Sequence, residues 1–139
     1  MIVVCTGMSG SGRKSAICTM LGCIKPDKVK LVNIGEKMYE KSRELGYSIS
    51  DGKILDSSEK DLDYLRAIVY EDIIRAKDRG EDIIINTHAC FRWNKYITKA
   101  FDYYYLTKLN PDLYITITDT IYSIYGRLES TKWKGRNAL

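Results

Sequence analysis

The chain has 139 residues, 45% hydrophobic and 29% charged, which excludes a disordered polypeptide and leaves room for one core but not two ordinary ones. Its 22 Lys+Arg against 18 Asp+Glu give a formal net charge of +4, enough to favour anionic partners such as nucleotides and too little to demand a polynucleotide. The longest apolar runs are strand-length and the start "MIVVCTG" lacks the features of a signal peptide, so neither a membrane span nor export is expected and a cytoplasmic protein is the expectation. Cys5, Cys18, Cys23 and Cys90 form no CxxC pair, which reads as reduced thiols and not as a metal site or disulfides.

In chain order, residues 2–6 are a β-branched run that reads as a buried strand, followed by a glycine-rich loop and a helix over about 14–21 ended by Gly22. Residues 29–33, "VKLVN", read as a second strand, and 36–45 as a helix stopped by Gly46. Asp56, Ser57 and Ser58 offer N-cap oxygens to a helix carrying Leu62, Leu65, Val69, Ile73 and Ala76 at helical spacing and ending at Gly80. The triple isoleucine in 82–87, "DIIINT", predicts a strand buried on both faces. A helix over about 96–109, a strand over 113–118 and a helix over 121–129 complete the order. Strands alternating with helices predict one domain over 1–139: a doubly wound α/β fold, its parallel sheet of about four strands flanked by helices. Ligands of such sheets bind beyond the carboxyl ends of the strands, here the Gly7 loop and the segments 33–35, 87–89 and 118–119.

In "GMSGSGRKSA", Gly7, Gly10 and Gly12 let successive backbone N–H groups face one anion-sized hollow, with Ser11, Ser15 and Ala16 completing the loop and first helical turn. The ordinary phosphate-binding pattern, GxxxxGK[ST], places Arg13 where lysine is expected and Lys14 where a Mg²⁺-binding hydroxyl belongs. A one-residue insertion would instead make Lys14-Ser15 the working pair, at the cost of putting Arg13 where glycine supplies a special backbone angle. Strict alignment keeps all three glycines and is the favoured reading.

Together with this loop, "VNIGEKMYEKSRELG", "LDSSEKDLDYLRAIV", "DIIINTHA" and "KLNPDLYITITDTIYSIYGRL" with a basic end resemble, in order and spacing, the archaeal-type adenylate kinases of the P-loop nucleoside-monophosphate kinase family. The resemblance runs from about Ile2 to Arg136. It implies transfer of the γ-phosphoryl of ATP, with Mg²⁺, to AMP. It also implies a monophosphate-binding segment over 35–58, including Gly35, Met38 and Lys53, and a lid over about 127–137 with Arg127, Lys132, Lys134 and Arg136. Thr87, His88 and Arg92 would complete the acceptor side, and Arg13, Lys14, Arg92 and Arg127 would be the catalytic cations. The chain departs from the family at several points. Asn86 stands where an aspartate usually orients Mg²⁺ through water, Lys53 stands near a usual arginine, and lysines replace lid arginines. The chain also stops at Leu139, before the last strand and helix that the family carries, which by this resemblance removes part of the adenine wall and weakens base selectivity.

His88 reads as a structural or substrate-orienting residue, since phosphoryl transfer of this kind needs positioning more than a general base. Asp119 reads as the N-cap of the following helix or, less favoured, as a polar site residue. The 11 tyrosines, including Tyr103, Tyr104 and Tyr105 near Lys99 and Lys108, read as packing or a homo-oligomer interface, with stacking on RNA bases as the other reading. Two functions remain open: a nucleoside-monophosphate kinase, or a P-loop module that binds nucleotide or RNA and has lost efficient transfer.

Overall fold

The segments with the most apolar sequence become the two central strands of a four-stranded parallel sheet. The computed structural model describes residues 1–24, 28–47, 57–93 and 96–129, with only the backbone at 91–93, 96 and 98. Strand β1 (Ile2–Gly7) is buried at every position, and β3 (Asp82–Asn86) buries all three of its isoleucines. Strands β2 (Val29–Asn33) and β6 (Leu113–Ile117) flank them in the order β2-β3-β1-β6, all neighbours parallel. The doubly wound α/β expectation therefore holds, with the four strands anticipated.

The alternation of strand side chains splits the core into two layers. On one face Ile2, Val4, Ile83 and Ile85 pack against α2 (Ile34–Glu44), α3 (Glu59–Asp78) and α4 (Tyr103–Leu109). On the other, Val3, Cys5 and Ile84 meet Ile17, Met20 and Leu21 of α1 (Arg13–Cys23). Ser58 caps α3 by accepting from the Asp61 N–H at 3.2 Å, a bond worth about 1 kcal/mol. Gly46 and Gly80 follow α2 and α3 with φ of 78° and 80°, the left-handed geometry expected of them.

Two expectations are corrected. Helix α1 does not stop at Gly22 but runs through it to Cys23. The helix expected over 96–109 is only its second half. Residues Tyr96–Lys99 are strand β5, paired antiparallel with β4 (Cys90–Trp93), and the Ala100 N–H extends the ladder by donating to the Ala89 carbonyl at 3.1 Å. Both four-residue runs are rich in aromatic and β-branched residues, and a partner strand lets that local preference win over the helical spacing. Asp102 then starts α4 by accepting from the Tyr104 N–H at 2.8 Å, and Asn110 ends it with φ 43°. Helix α5 (Ile121–Glu129) follows β6.

Candidate functional site

All four parallel strands end at one edge of the sheet, and that edge carries the glycine loop. Gly7 closes β1 opposite Ile117 of β6, while Asn86 of β3 lies in register with Cys5 of β1 and Asn33 of β2. Gly10 and Gly12 take φ of 78° and 82°, and the helix begins at the next residue, Arg13. That is the geometry of the strict alignment, with the last glycine turning the chain and Arg13 in the first helical position. Gly7 is required for a different reason: a Cβ there would stand 2.5 Å from the Ile117 carbonyl oxygen.

The loop is braced from three sides. Arg13 turns back beneath it, Nη1 donating to the Gly7 carbonyl at 2.5 Å. Burial pushes the guanidinium pKa down, with the neighbouring Cys5 thiol opposing, and it stays cationic at any working pH. Ser9 Oγ lies 3.2 Å from His88 Nε2, which ties the loop to the end of β3. The His88 pKa is pushed down to about 4, first by burial and then by the charge of Arg13, so the ring is neutral near pH 7. On the outer side, Arg127 of α5 donates from Nη1 to the Gly10 carbonyl at 2.7 Å and from Nη2 to Asp119 at 2.6 Å. Ile124 and Leu128 close over Gly10, where a Cβ would stand 3.1 Å from Leu128 Cγ.

Asp119 is not the cap of α5. Its Oδ1 accepts from the adjacent Thr120 N–H, while Thr120 Oγ1 accepts from the Ser123 N–H at 3.3 Å and so takes the capping role. The freed carboxylate faces Arg127, and its pKa is held low first by the Thr120 N–H and next by that guanidinium.

Buried polar atoms without a partner gather here. Among the described residues they are Ser11 Oγ, Arg13 Nε and Asn86 Oδ1 around the loop, and Arg66 Nε and Tyr70 Oη on α3. Unpaired buried groups are uncommon in folded proteins, and three of these five lie in the glycine loop, in the first turn of α1 and at the end of β3 beside them. The loop N–H groups and the α1 N-terminus suit phosphate oxygens. A divalent cation on a bound triphosphate draws most ligands from phosphate and water, so few protein oxygens are needed. Asn86 Oδ1 suits the water shell of such an ion, while Lys14, at the position where a Mg²⁺-binding hydroxyl is expected, and Ser15 are both exposed in the first turn of α1. Among the described residues no cluster of three or more His, Cys, Asp or Glu offers a protein-only metal site.

The acceptor-side residues are brought together less completely. Thr87 and His88 lie beside the loop, and Gly35 is exposed in the first turn of α2. Met38 is 5% exposed and packs in the core with Val32 and Leu65. Arg92 belongs to β4, while Lys53, Lys132, Lys134 and Arg136 lie outside the described residues. The tyrosine run divides: Tyr105 stacks on Tyr70 with centroids 5.5 Å apart, whereas Tyr103 and Tyr104 are exposed. All four cysteines are free. No helix among the described residues is long and apolar enough to cross a membrane.

A family model described as an AAA domain (AAA_17) matches residues 6–138, nearly the whole chain. Among curated proteins no sequence matches. Two solved structures share the fold. One is from the Pnkp1/Rnl/Hen1 RNA repair complex, with TM-score 0.58 and 13% identity over 93% of this chain and 36% of that one. The other is a sugar kinase from Janibacter sp. HTCC2649, with TM-score 0.55 and 16% identity over 94% of this chain and 67% of that one. The chain thus spans about a third of the first relative's length.

Proposed function

The chain belongs to this AAA domain family, and on that premise we propose that it is a P-loop phosphotransferase moving the γ-phosphoryl of ATP onto AMP to give two ADP. The observation that carries the reading is the set of unpartnered atoms, Ser11 Oγ, Arg13 Nε and Asn86 Oδ1, gathered around a glycine loop at a helix N-terminus. The loop N–H groups would bind the β- and γ-phosphoryl oxygens and fix the triphosphate in line for transfer. Arg13 adds a fixed positive charge under the loop, and neutral His88 orients Ser9 without taking a proton. Mg²⁺, when bound, supplies neutralisation of the charge that develops on the transferring group. Asn86 would hold its water shell. Thr87, Arg92 and the 35–58 segment would receive the acceptor, the basic 127–137 segment would close over it, and a cytoplasmic supply of ATP is part of the same proposal.

A second reading has its own support. Arg13 is bonded to the loop carbonyl, and Asn86 brings no charge, so the protein would bind nucleotide and transfer phosphate poorly. Incubation with Mg²⁺·ATP and each nucleoside monophosphate, followed for diphosphate, separates the two. An RNA oligonucleotide and a simple sugar join the panel because the fold neighbours carry those names. Transfer to AMP above the other acceptors supports the kinase. ATP binding without transfer to any acceptor sinks it in favour of the binding module. If the departures are what weakens transfer, Arg13→Lys with Lys14→Thr and Asn86→Asp raises the rate.

A further inference from the structure

Three residues on three elements form one hydrogen-bonded line. Asn86 Nδ2 donates to Asn33 Oδ1 at 2.6 Å, and Asn33 Nδ2 donates to Glu36 Oε2 at 2.8 Å. The direction of this line is imposed from its outer end. An ionised carboxylate only accepts, so Asn33 must present its NH₂ to Glu36 and its carbonyl to Asn86. Asn86 must then present its own NH₂ to Asn33. The reverse order would set the Asn33 oxygen against the Glu36 oxygen. A lone asparagine could turn either end toward a ligand; this one cannot. What remains is Asn86 Oδ1, buried and without a partner.

The position of that oxygen follows from the sheet. Asn86 is two residues on from Ile84 and in register with Cys5, and both of these pack on the α1 side. It therefore shares the face whose helix begins with Arg13, Lys14 and Ser15. An acceptor oxygen cannot meet phosphate oxygens directly. A donor has to lie between them, and the water shell of a divalent cation held by those phosphates is such a donor.

Building on the nucleotide-binding reading above, we propose that Glu36, through Asn33, locks Asn86 as an acceptor-only group toward the hydrated divalent cation of a bound nucleoside triphosphate. Glu36 and Asn33 are positioning residues: they set which atom of Asn86 faces the site, so a neutral amide serves at a position where the sequence lacks a carboxylate. Outer partners that orient a ligating group typically change metal affinity by 10- to 100-fold when removed.

The test measures the affinity of a non-hydrolysable ATP analogue by titration calorimetry with Mg²⁺ and again with EDTA, taking the ratio as readout. Glu36→Gln is expected to lower that ratio roughly tenfold while leaving the EDTA affinity within about twofold. In an Asn86→Asp background, where both oxygens accept whatever Asn33 does, Glu36→Gln should change the ratio by less than about twofold. An unchanged ratio in the single variant overturns the proposal. An equal fall in both backgrounds also overturns it, because Glu36 would then act only through its charge. Glu36 is exposed in the first turn of α2, and circular dichroism confirms that each variant is folded. The diphosphate assay keeps the two readings apart. A Glu36-dependent ratio without transfer upholds this inference and removes the kinase; transfer with an indifferent ratio does the reverse. Failure of the analogue to bind under any condition removes both.

Discussion

Acidification should destabilise the protein first through His88. In the folded chain the ring is held neutral, with its pKa pushed from 6.5 down to about 4 by burial and by Arg13. In the unfolded chain it titrates normally. Between those two values the unfolded state binds the extra proton, so the His88 contribution is fully present above about pH 6.5 and is lost as the pH falls toward about 4. Each pH unit within that window removes at most about 1.4 kcal/mol, which makes the whole loss on the order of 3 kcal/mol and the loss by about pH 5 on the order of 2 kcal/mol. Glu81 and Asp119 also have lowered pKa values, from 4.5 and 3.8, so their contributions are lost as the pH falls below those two values, under the lower pH of the comparison, about pH 5. Urea unfolding at about pH 7.5 and about pH 5 therefore isolates the histidine; with an ordinary urea dependence the midpoint should fall by roughly 1 M or more. His88→Gln keeps a side chain able to bond Ser9 and removes the titration. If that variant loses as much stability between the two pH values as the parent, the reasoning is wrong.

Gly10→Ala forces a side chain into φ 78° against Leu128 and Ile124, and should cost about 1–3 kcal/mol with a clear loss of ATP-analogue affinity, read by thermal melting and calorimetry. Asp119→Asn and Arg127→Gln loosen the outer brace of the loop. Because that ion pair is solvent-exposed, global stability should change little while hydrogen exchange of the 7–12 amides accelerates; unchanged exchange would mean that the brace does not hold the loop. Tyr70→Phe removes a buried hydroxyl whose polar neighbour, the Thr87 side chain, lies outside good hydrogen-bond geometry, and keeps the ring stack on Tyr105. Stability should stay within about 1 kcal/mol or rise, whereas a loss of 2 kcal/mol or more would mean that the hydroxyl has a partner in solution.

What the sequence revealed, and what it concealed, divides along contact distance. Ile83-Ile84-Ile85 and the β-branched start of the chain announce central strands, because burial on both faces leaves no polar position to confuse the pattern. The glycines announce the loop because each meets a local backbone demand. Tyr96–Lys99 reads as the start of a helix and is a strand, since four residues do not separate a period of 2 from one of 3.6 and the partner strand decides it. Met38 was assigned to the acceptor side by position in a resemblance, yet its helix turns it into the core. Ser9 with His88, Asp119 with Arg127 and Gly10, and Asn86 with Asn33 and Glu36 join residues on different elements. Nothing in local patterning predicts an orientation that depends on a carboxylate 50 residues away in sequence.

The braces on the glycine loop differ in what they are attached to. Its inner end continues β1, the most deeply buried strand, while its outer face is held by α5, which follows an edge strand with Leu113 and Tyr114 exposed. Segments with few buried contacts open more often than those at the centre of a sheet. The two walls of the phosphate hollow should therefore open at different rates, the one continuing β1 more slowly than the one held by α5. Entry and departure of a ligand would then be timed by the edge of the sheet, while the shape that it meets is kept by the centre.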